Sequence, residues 1–215
     1  MFMVHTGCTM KQNIPSTLAF SILALGLLKA PAAQAAVSAQ TLANLNTAFQ
    51  GESNAAGRYA KFAEKAVAEG FPQVGRLFRA ASASESIHRD THRKTILELG
   101  GTVATFQLDP VQPGTTAENL KAAVAGESHE RDTMYPEFLA LAKTDDSRPA
   151  IRTLTFALES EKAHARLYQE ALDNLGKNAA ADYYVCAVCG ETLTVLPEKR
   201  CPVCRKGKDE FTRIN

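Results

Sequence analysis

A chain of 215 residues, 45% of them hydrophobic and 22% charged, can hold one core of ordinary size plus a small appendage. A formal net charge of +1 excludes a disordered polyelectrolyte and leaves no basic surplus for nucleic acid, so no nucleic-acid partner is expected. Of the five cysteines, Cys8 stands alone, while Cys186, Cys189, Cys201 and Cys204 cluster near the C-terminus. Such clustering points to a local metal site rather than a chain-wide disulfide framework.

The chain opens with the form of a secretory signal. Lys11 precedes an apolar run from Ile14 to Leu28, and Ala33-x-Ala35 supplies the small residues of a cleavage motif. The run is interrupted by polar residues and short for a full membrane span. Residues 1–35 therefore read as a signal peptide, and the mature protein as exported, periplasmic and free of the membrane. An uncleaved anchor is the alternative. Met10-Lys11 makes a normal signal start on its own, with residues 1–9 as an upstream extension and Cys8 without a role.

Four apolar stripes of helical period follow, each interrupted by polar residues, and they place one domain over residues 38–176. The first helix, from Ser38 to Glu69, presents Leu42, Leu45, Phe49, Glu52, Ala56, Tyr59, Phe62 and Ala66. The second opens at Pro72, ends before Gly100-Gly101 and presents Val74, Phe78, Ala81, Glu85, His88, His92, Ile96 and Leu99. A loop over 102–114 is long enough to cross the end of a bundle. Thr115-x-x-Glu118 is a capping box for the third helix, whose stripe reads Leu120, Val124, Glu127, Glu130, Met134, Phe138 and Leu141. Pro136 removes a helical hydrogen bond and predicts a local kink. The fourth helix, opened by Ser147 and Pro149 and closed by Gly176, presents Ile151, Leu154, Leu158, Glu161, His164, Tyr168, Leu172 and Leu175. Helices near thirty residues with one long crossover fit an all-α, ferritin-like four-helix bundle.

The polar interruptions repeat. Gly51-Glu52-Ser53 recurs as Gly126-Glu127-Ser128, an offset of 75, and Glu85-x-x-His88 recurs as Glu161-x-x-His164, an offset of 76. Residues three apart on a helix lie about 60° apart around its axis, so each Glu-x-x-His pair points into one space. An ionised carboxylate buried without a partner costs several kcal/mol or more. Two divalent cations would largely neutralise the five carboxylates Glu52, Glu85, Glu127, Glu130 and Glu161. Carboxylate oxygen with imidazole nitrogen suits iron or manganese better than structural zinc. One Glu from each of two helices plus Glu-x-x-His from two others is the di-iron carboxylate arrangement of such bundles. His92, one turn beyond His88, reads as a partly exposed histidine rather than a ligand, and His129 as solvated. Tyr59 and Tyr135 read either as core aromatics or as hydrogen-bond donors to the carboxylates.

After a short linker, residues 183–215 form a second domain. Cys186-x-x-Cys189 and Cys201-x-x-Cys204, with eleven residues between the pairs, fit a tetrahedral tetrathiolate site for iron or zinc, a disulfide pairing being the alternative. So short a segment cannot build a sufficient core, so the metal does much of its folding.

These motifs together resemble the rubrerythrin family: Gly51-Glu52 with Arg58-Tyr59, Glu85-x-x-His88, Gly126-Glu127-x-x-Glu130 with Met134-Tyr135-Pro136, Glu161-Lys162-Ala163-His164, and the paired cysteine knuckles. The resemblance covers essentially everything after the signal. It implies a small rubredoxin-like β module with one iron on four thiolates. It also implies a non-haem di-iron site held by Glu52, Glu85, Glu127, Glu130, Glu161 and His164, with Glu130 exchanging for His88 on reduction and Tyr59 and Tyr135 alongside. The implied activity is reduction of hydrogen peroxide to water, with electrons from an unidentified donor passing through the rubredoxin-like iron. In the family that module docks on a partner subunit, which implies a homodimer. Two departures bear on the module: Glu191 stands where an aromatic is usual, and the loop to Cys201 lacks the usual glycine. The competing readings are a ferroxidase that handles iron and a non-catalytic, zinc-stapled binding module.

Overall fold

The computed structural model describes residues 2–7 and 37–215, and the chain divides into two units, residues 1–34 and 35–215. Residues 2–7 carry neither helix nor strand. The expected signal segment and its cleavage motif lie outside the described residues. Among those described, no helix is long and apolar enough to cross a membrane.

The second unit begins with a capped helix. Ser38 accepts a hydrogen bond from the Thr41 amide at its own side chain and donates its backbone N–H to Asp145, which anchors the start of α1 (Ala39–Ala68) to a distant turn. Pro72 sits in the first turn of α2 (Pro72–Glu98), where its missing N–H costs nothing. The predicted capping box is present, Thr115 and Glu118 each satisfying the other's backbone, and it opens α3 (Thr116–His129). A π-helical turn over Glu130–Met134 joins α3 to α4 (Tyr135–Thr144), and α5 runs over Arg148–Asp173. α1 lies along α2, and α5 lies along α3 and α4, which makes a four-helix bundle with the 102–114 loop as its crossover.

The π turn corrects the sequence reading of the third helix. Predicted core positions Met134, Phe138 and Leu141 are only half-buried, whereas Tyr135, Leu139 and Ala142 are buried. Each buried position is one residue later than the α-helical period places it. A π turn accommodates one extra residue, so it rotates everything C-terminal to it by one position. Tyr135 donates its amide to the Glu130 carbonyl five residues back, and Pro136 just after it has no amide to restore the α pattern. The bend expected at Pro136 is thus the end of a π turn.

Two apolar clusters fill the bundle. One gathers Tyr59, Phe62, Leu77, Phe78, Leu120, Leu167 and Tyr168, and the other Leu45, Ile96, Tyr135, Leu139 and Leu154. Each such side chain contributes about 1.5–3 kcal/mol by leaving water. Along every helix, the polar interruptions fall between these clusters, so they form one buried layer.

The C-terminal segment folds into an antiparallel sheet of order β2-β1-β3, with β1 at Tyr183–Cys186, β2 at Thr192–Leu193 and β3 at Phe211–Ile214. Its four free cysteines converge, Cys186 Sγ lying 3.7 Å from Cys204 Sγ and Cys189 Sγ 3.6 Å from Cys201 Sγ. The fold is therefore a ferritin-like bundle carrying a small, cysteine-stapled β module.

Because the π turn is a one-residue insertion between two segments that both face the core, deleting exposed Asp132 should let α3 run into α4 as one α-helix. Circular dichroism is expected to show undiminished helix content and a Tm no lower than the parent's. A large loss of helix would show that the turn is required for the fold.

Candidate metal centre

The buried layer is built with two-fold regularity. His88 Nδ1 lies 2.9 Å from Glu85, 3.2 Å from Glu161 and 3.8 Å from Glu52. His164 Nδ1 lies 2.9 Å from Glu161, 3.1 Å from Glu85 and 3.5 Å from Glu127. Glu85 and Glu161 thus give one oxygen to each cage, while Glu52 and Glu127 each belong to one. All six side chains are at most 1% exposed. Glu85 and Glu161 stand in the same relation to both cages.

A tyrosine from each half crosses the bundle to the other half's carboxylate. Tyr59 donates to Glu127 Oε1, and Tyr135 to Glu52 Oε1. These phenols orient the carboxylates as well as fill the core. Glu130 is not in either cage. It is half-buried at the head of the π turn, and burial first, then Glu127 and Glu85, raise its carboxyl well above the usual range. Of the expected pair His88 and Glu130, the structure brings only His88 inward.

The charges in the layer do not balance on their own. Burial pushes Glu52 and Glu161 well above the usual carboxylate range, and their carboxylate neighbours push further in the same direction. Burial also acts on Glu85, but His164 and His88 outweigh it and hold that carboxyl at about 2. Burial lowers His164 and His88, yet the carboxylates around each outweigh it and raise both imidazoles. Even so, Glu52 Oε2, Glu85 Oε1, Glu127 Oε2 and Glu161 Oε1 are buried without a hydrogen-bond donor. One Nδ1 cannot serve three carboxylates, whereas a cation at each centre serves them all. The residues fit two divalent metal ions.

The outer face of each imidazole is held by the cysteine module. His88 Nε2 lies 3.1 Å from the Cys189 carbonyl, which can only accept, so Nε2 carries the proton. His164 Nε2 lies 3.0 Å from Thr192 Oγ1, whose own proton goes to the Gly190 carbonyl. Both rings therefore turn the Nδ1 lone pair toward the cage when the extra proton there is replaced by metal. The resemblance implies docking on a partner subunit; in this chain the module sits on its own bundle. Sequence reasoning missed Thr192 and Ser84, which donates to the Gly190 carbonyl at 2.7 Å, because only the docking brings them to the site.

His92 corrects another expectation. Instead of being partly exposed it is fully buried, 3.3 Å from the Tyr135 hydroxyl and 3.0 Å from Thr153 Oγ1. It is no member of either cage. His129 is exposed, as read from the sequence. In the module, Cys186, Cys189, Cys201 and Cys204 can all reach one centre and fit a single tetrathiolate metal. Glu191, at the usual aromatic position, is only 7% exposed and has a buried oxygen without a partner.

A carboxylate–imidazole layer midway along a four-helix bundle, with a tetrathiolate site against it, defines a ferritin-like di-iron oxidoreductase. The rubrerythrin family model matches residues 43–172. Rubrerythrin-2 of Clostridium acetobutylicum is 36% identical over 177 residues, covering 81% of this chain and 96% of the relative. Nigerythrin of Nitratidesulfovibrio vulgaris is 30% identical over 172 residues, covering 80% and 85%. The fully reduced, all-ferrous structure of nigerythrin superposes with a TM-score of 0.72 at 28% identity, covering 88% of this chain and 91% of that one. The chain belongs to the rubrerythrin family.

Two consequences of the docking can be measured. Gly190 has φ 79°, and a Cβ there would lie 2.2 Å from His88 Nε2. Gly190→Ala is expected to cost at least about 2 kcal/mol and to expose the linker at 177–182 to protease, seen by limited digestion. Burial raises the Glu191 carboxyl to about 7, with Glu159 and Cys186 adding to it against His164 and His88. A carboxyl raised on folding favours the folded state while protonated, and that advantage fades as pH climbs from about 4.5 to 7. Glu191→Gln should therefore match the parent's stability at pH 4 and exceed it at pH 8, by up to about 3 kcal/mol in chemical denaturation.

Proposed function

We propose that this protein is a non-haem di-iron peroxidase that reduces hydrogen peroxide to water, taking electrons through a single iron in the cysteine module. The observation that carries the reading is the contact between the two metal sites. The Cys189 carbonyl, on a thiolate ligand residue, meets the outer nitrogen of His88, a residue of the carboxylate cage. That contact sets the thiolate site directly against the carboxylate cage, as electron delivery between the two requires.

In this reading Glu52, Glu85, Glu127, Glu161, His88 and His164 would hold the two irons, with Glu130 as the carboxylate that would exchange with His88. Bound there, a ferrous pair would supply the two electrons of the reduction of hydrogen peroxide, which with two protons gives two waters. Glu85 and Glu161 keep both centres at a fixed separation, since each spans both cages. Tyr59 and Tyr135 steady Glu127 and Glu52 and stand ready to donate a proton at the edge of the cage. The module excludes water from the outer side of both imidazoles and fixes their tautomers. Cys186, Cys189, Cys201 and Cys204 hold the third iron.

We further propose that the mature chain is exported to the periplasm after cleavage near Ala35, works as a homodimer and receives electrons from a donor outside this chain. Support for export is the sequence of the first 35 residues alone.

Metal analysis and a visible spectrum of the purified protein, followed by hydrogen peroxide addition to the anaerobically reduced form, test the assignment. Iron in both sites and rapid oxidation by peroxide are expected. Zinc in the cysteine site with no peroxide-driven oxidation would sink it. Glu161→Ala removes an oxygen from each cage and should abolish turnover, a loss of at least about a hundredfold, while the cysteine-site spectrum persists. Retained turnover would mean that the reacting site is elsewhere.

A further inference from the structure

In the proposed reaction the cysteine module receives electrons from a donor outside the chain. Of its four cysteines, Cys186, Cys189 and Cys201 are fully buried, and Cys204 alone is half-exposed. Cys204 lines a pocket of about 330 Å³ where α2, α5 and the module meet. Phe156 and Val188 line it as well, and both pack with Cys204 against the other three cysteines. The threonines on its inner wall spend their hydroxyls within the protein. Thr91 donates to the His88 carbonyl at 2.9 Å, and Thr153 Oγ1 lies 3.1 Å from Thr91 Oγ1 and 3.0 Å from His92 Nδ1. The inner part of the pocket is therefore effectively apolar. Its exposed edge is cationic, with Lys94, Arg152 and Lys206 set against the single carboxylate of Glu98. Glu98 Oε2 lies 3.8 Å from Arg152 Nη2, too far for a hydrogen bond, so the guanidinium keeps its donors for a ligand.

We propose that this pocket binds a small, anionic aromatic electron donor of the flavin mononucleotide class. The ring sits on Phe156 and Val188 beside Cys204, and the phosphate is held by Lys94, Arg152 and Lys206. The proposal deepens the peroxidase reading and rests on its electron route through the cysteine site. Sites for small ligands measure about 300–1,000 Å³ and combine apolar walls with a few placed polar groups, which is the make-up of this pocket. A guanidinium can meet a phosphate with two parallel hydrogen bonds, and lysines add point charges. An acidic protein face would meet the same cations but leave the apolar recess empty.

The position beside Cys204 gives the ring its use. The reduced ring gives one electron to the ferric thiolate site, which becomes ferrous, and one proton to water. A second such step leaves the ring fully oxidised. One ring thus delivers the two electrons that one molecule of hydrogen peroxide takes.

The first measurement uses the full chain, 15N-labelled and loaded with zinc so that no electron moves. Flavin mononucleotide should bind saturably and shift the amides of Lys94, Val188, Cys204 and Lys206. Riboflavin, which lacks the phosphate, and inorganic phosphate, which lacks the ring, should each bind on the order of tenfold more weakly or worse. Arg152→Gln combined with Lys206→Gln should weaken flavin mononucleotide binding on the order of tenfold at unchanged Tm, and Arg152→Lys with Lys206→Arg should restore it. Absence of saturable binding, shifts confined to another face, riboflavin bound as tightly, or parent-like affinity in the glutamine pair overturns the proposal. The second measurement mixes reduced flavin mononucleotide with the oxidised, iron-loaded protein without air. Bleaching of the ferric thiolate absorbance should saturate with flavin concentration, and at low flavin it should slow on the order of tenfold in the glutamine pair. A rate that never saturates, or a parent-like rate in the glutamine pair, also overturns it. A cysteine site that takes up only zinc refutes the electron route of the peroxidase reading instead, and the binding measurement still judges the pocket.

Discussion

The constraint on which the fold depends is the burial of four carboxylates and two imidazoles in one layer. Glu52, Glu85, Glu127 and Glu161 together leave four oxygens without donors, in a place where water cannot supply them. Neutral apolar residues of similar size would cost nothing there, and the two clusters on either side show that the bundle has enough apolar surface to close. The layer is stable only when cations occupy its two centres, or when protons do so in their place. That exchange is visible in the opposed directions of its members, with Glu85 held low while His88 and His164 are raised. Metal binding and folding are therefore linked through the same side chains.

The internal duplication explains how one chain makes a nearly symmetric pair of sites, and also where the symmetry fails. Glu52 and Glu127 are 75 residues apart, whereas Tyr59 and Tyr135, which cross the bundle to those same carboxylates, are 76 apart. The extra residue falls between Glu127 and Tyr135, where the π turn lies. Its insertion keeps the second tyrosine in the position of the first while changing the backbone beside Glu130. No counterpart of Glu130 exists on α1, because the residue three beyond Glu52 is Ala55. The two halves thus share their four innermost carboxylates and differ in the one group that stands outside.

Helix existence, the first-turn prolines, the capping box at Thr115 and all the inner cage residues were legible in the sequence, because each follows from local chemistry repeated at a fixed period. The phase of the third helix was not. An α-helical period was carried through Glu130–Met134 and placed Met134, Phe138 and Leu141 inward by one residue too few. The shift from 75 to 76 between the glutamate and tyrosine offsets held that information, since a one-residue change in a repeat within a helix requires a bulge. His92 was misjudged for a related reason. Its position near a helix end argued for exposure, but α5 covers it with Thr153 and α4 with Tyr135. The docking of the cysteine module on its own bundle could not be read at all, because spacing fixes which thiols converge but not what their loops touch.

That docking turns two separately readable motifs into one device. The tight turn after Cys189 needs Gly190, both for its positive φ and because His88 occupies the space a side chain would take. With no side chain there, the Cys189 carbonyl and the Thr192 hydroxyl come within hydrogen-bond distance of the two imidazoles. An acceptor on Nε2 dictates that Nδ1 faces inward as a base, so the cysteine module sets the protonation of the two imidazoles of the cages. Any shift of the module that lengthened those bonds would loosen both rings at once. The seating of the module and the orientation of the imidazoles are therefore not independent properties of this chain: the same two contacts provide both, and Glu191, buried in the seam with an unpartnered oxygen, makes their stability depend on pH.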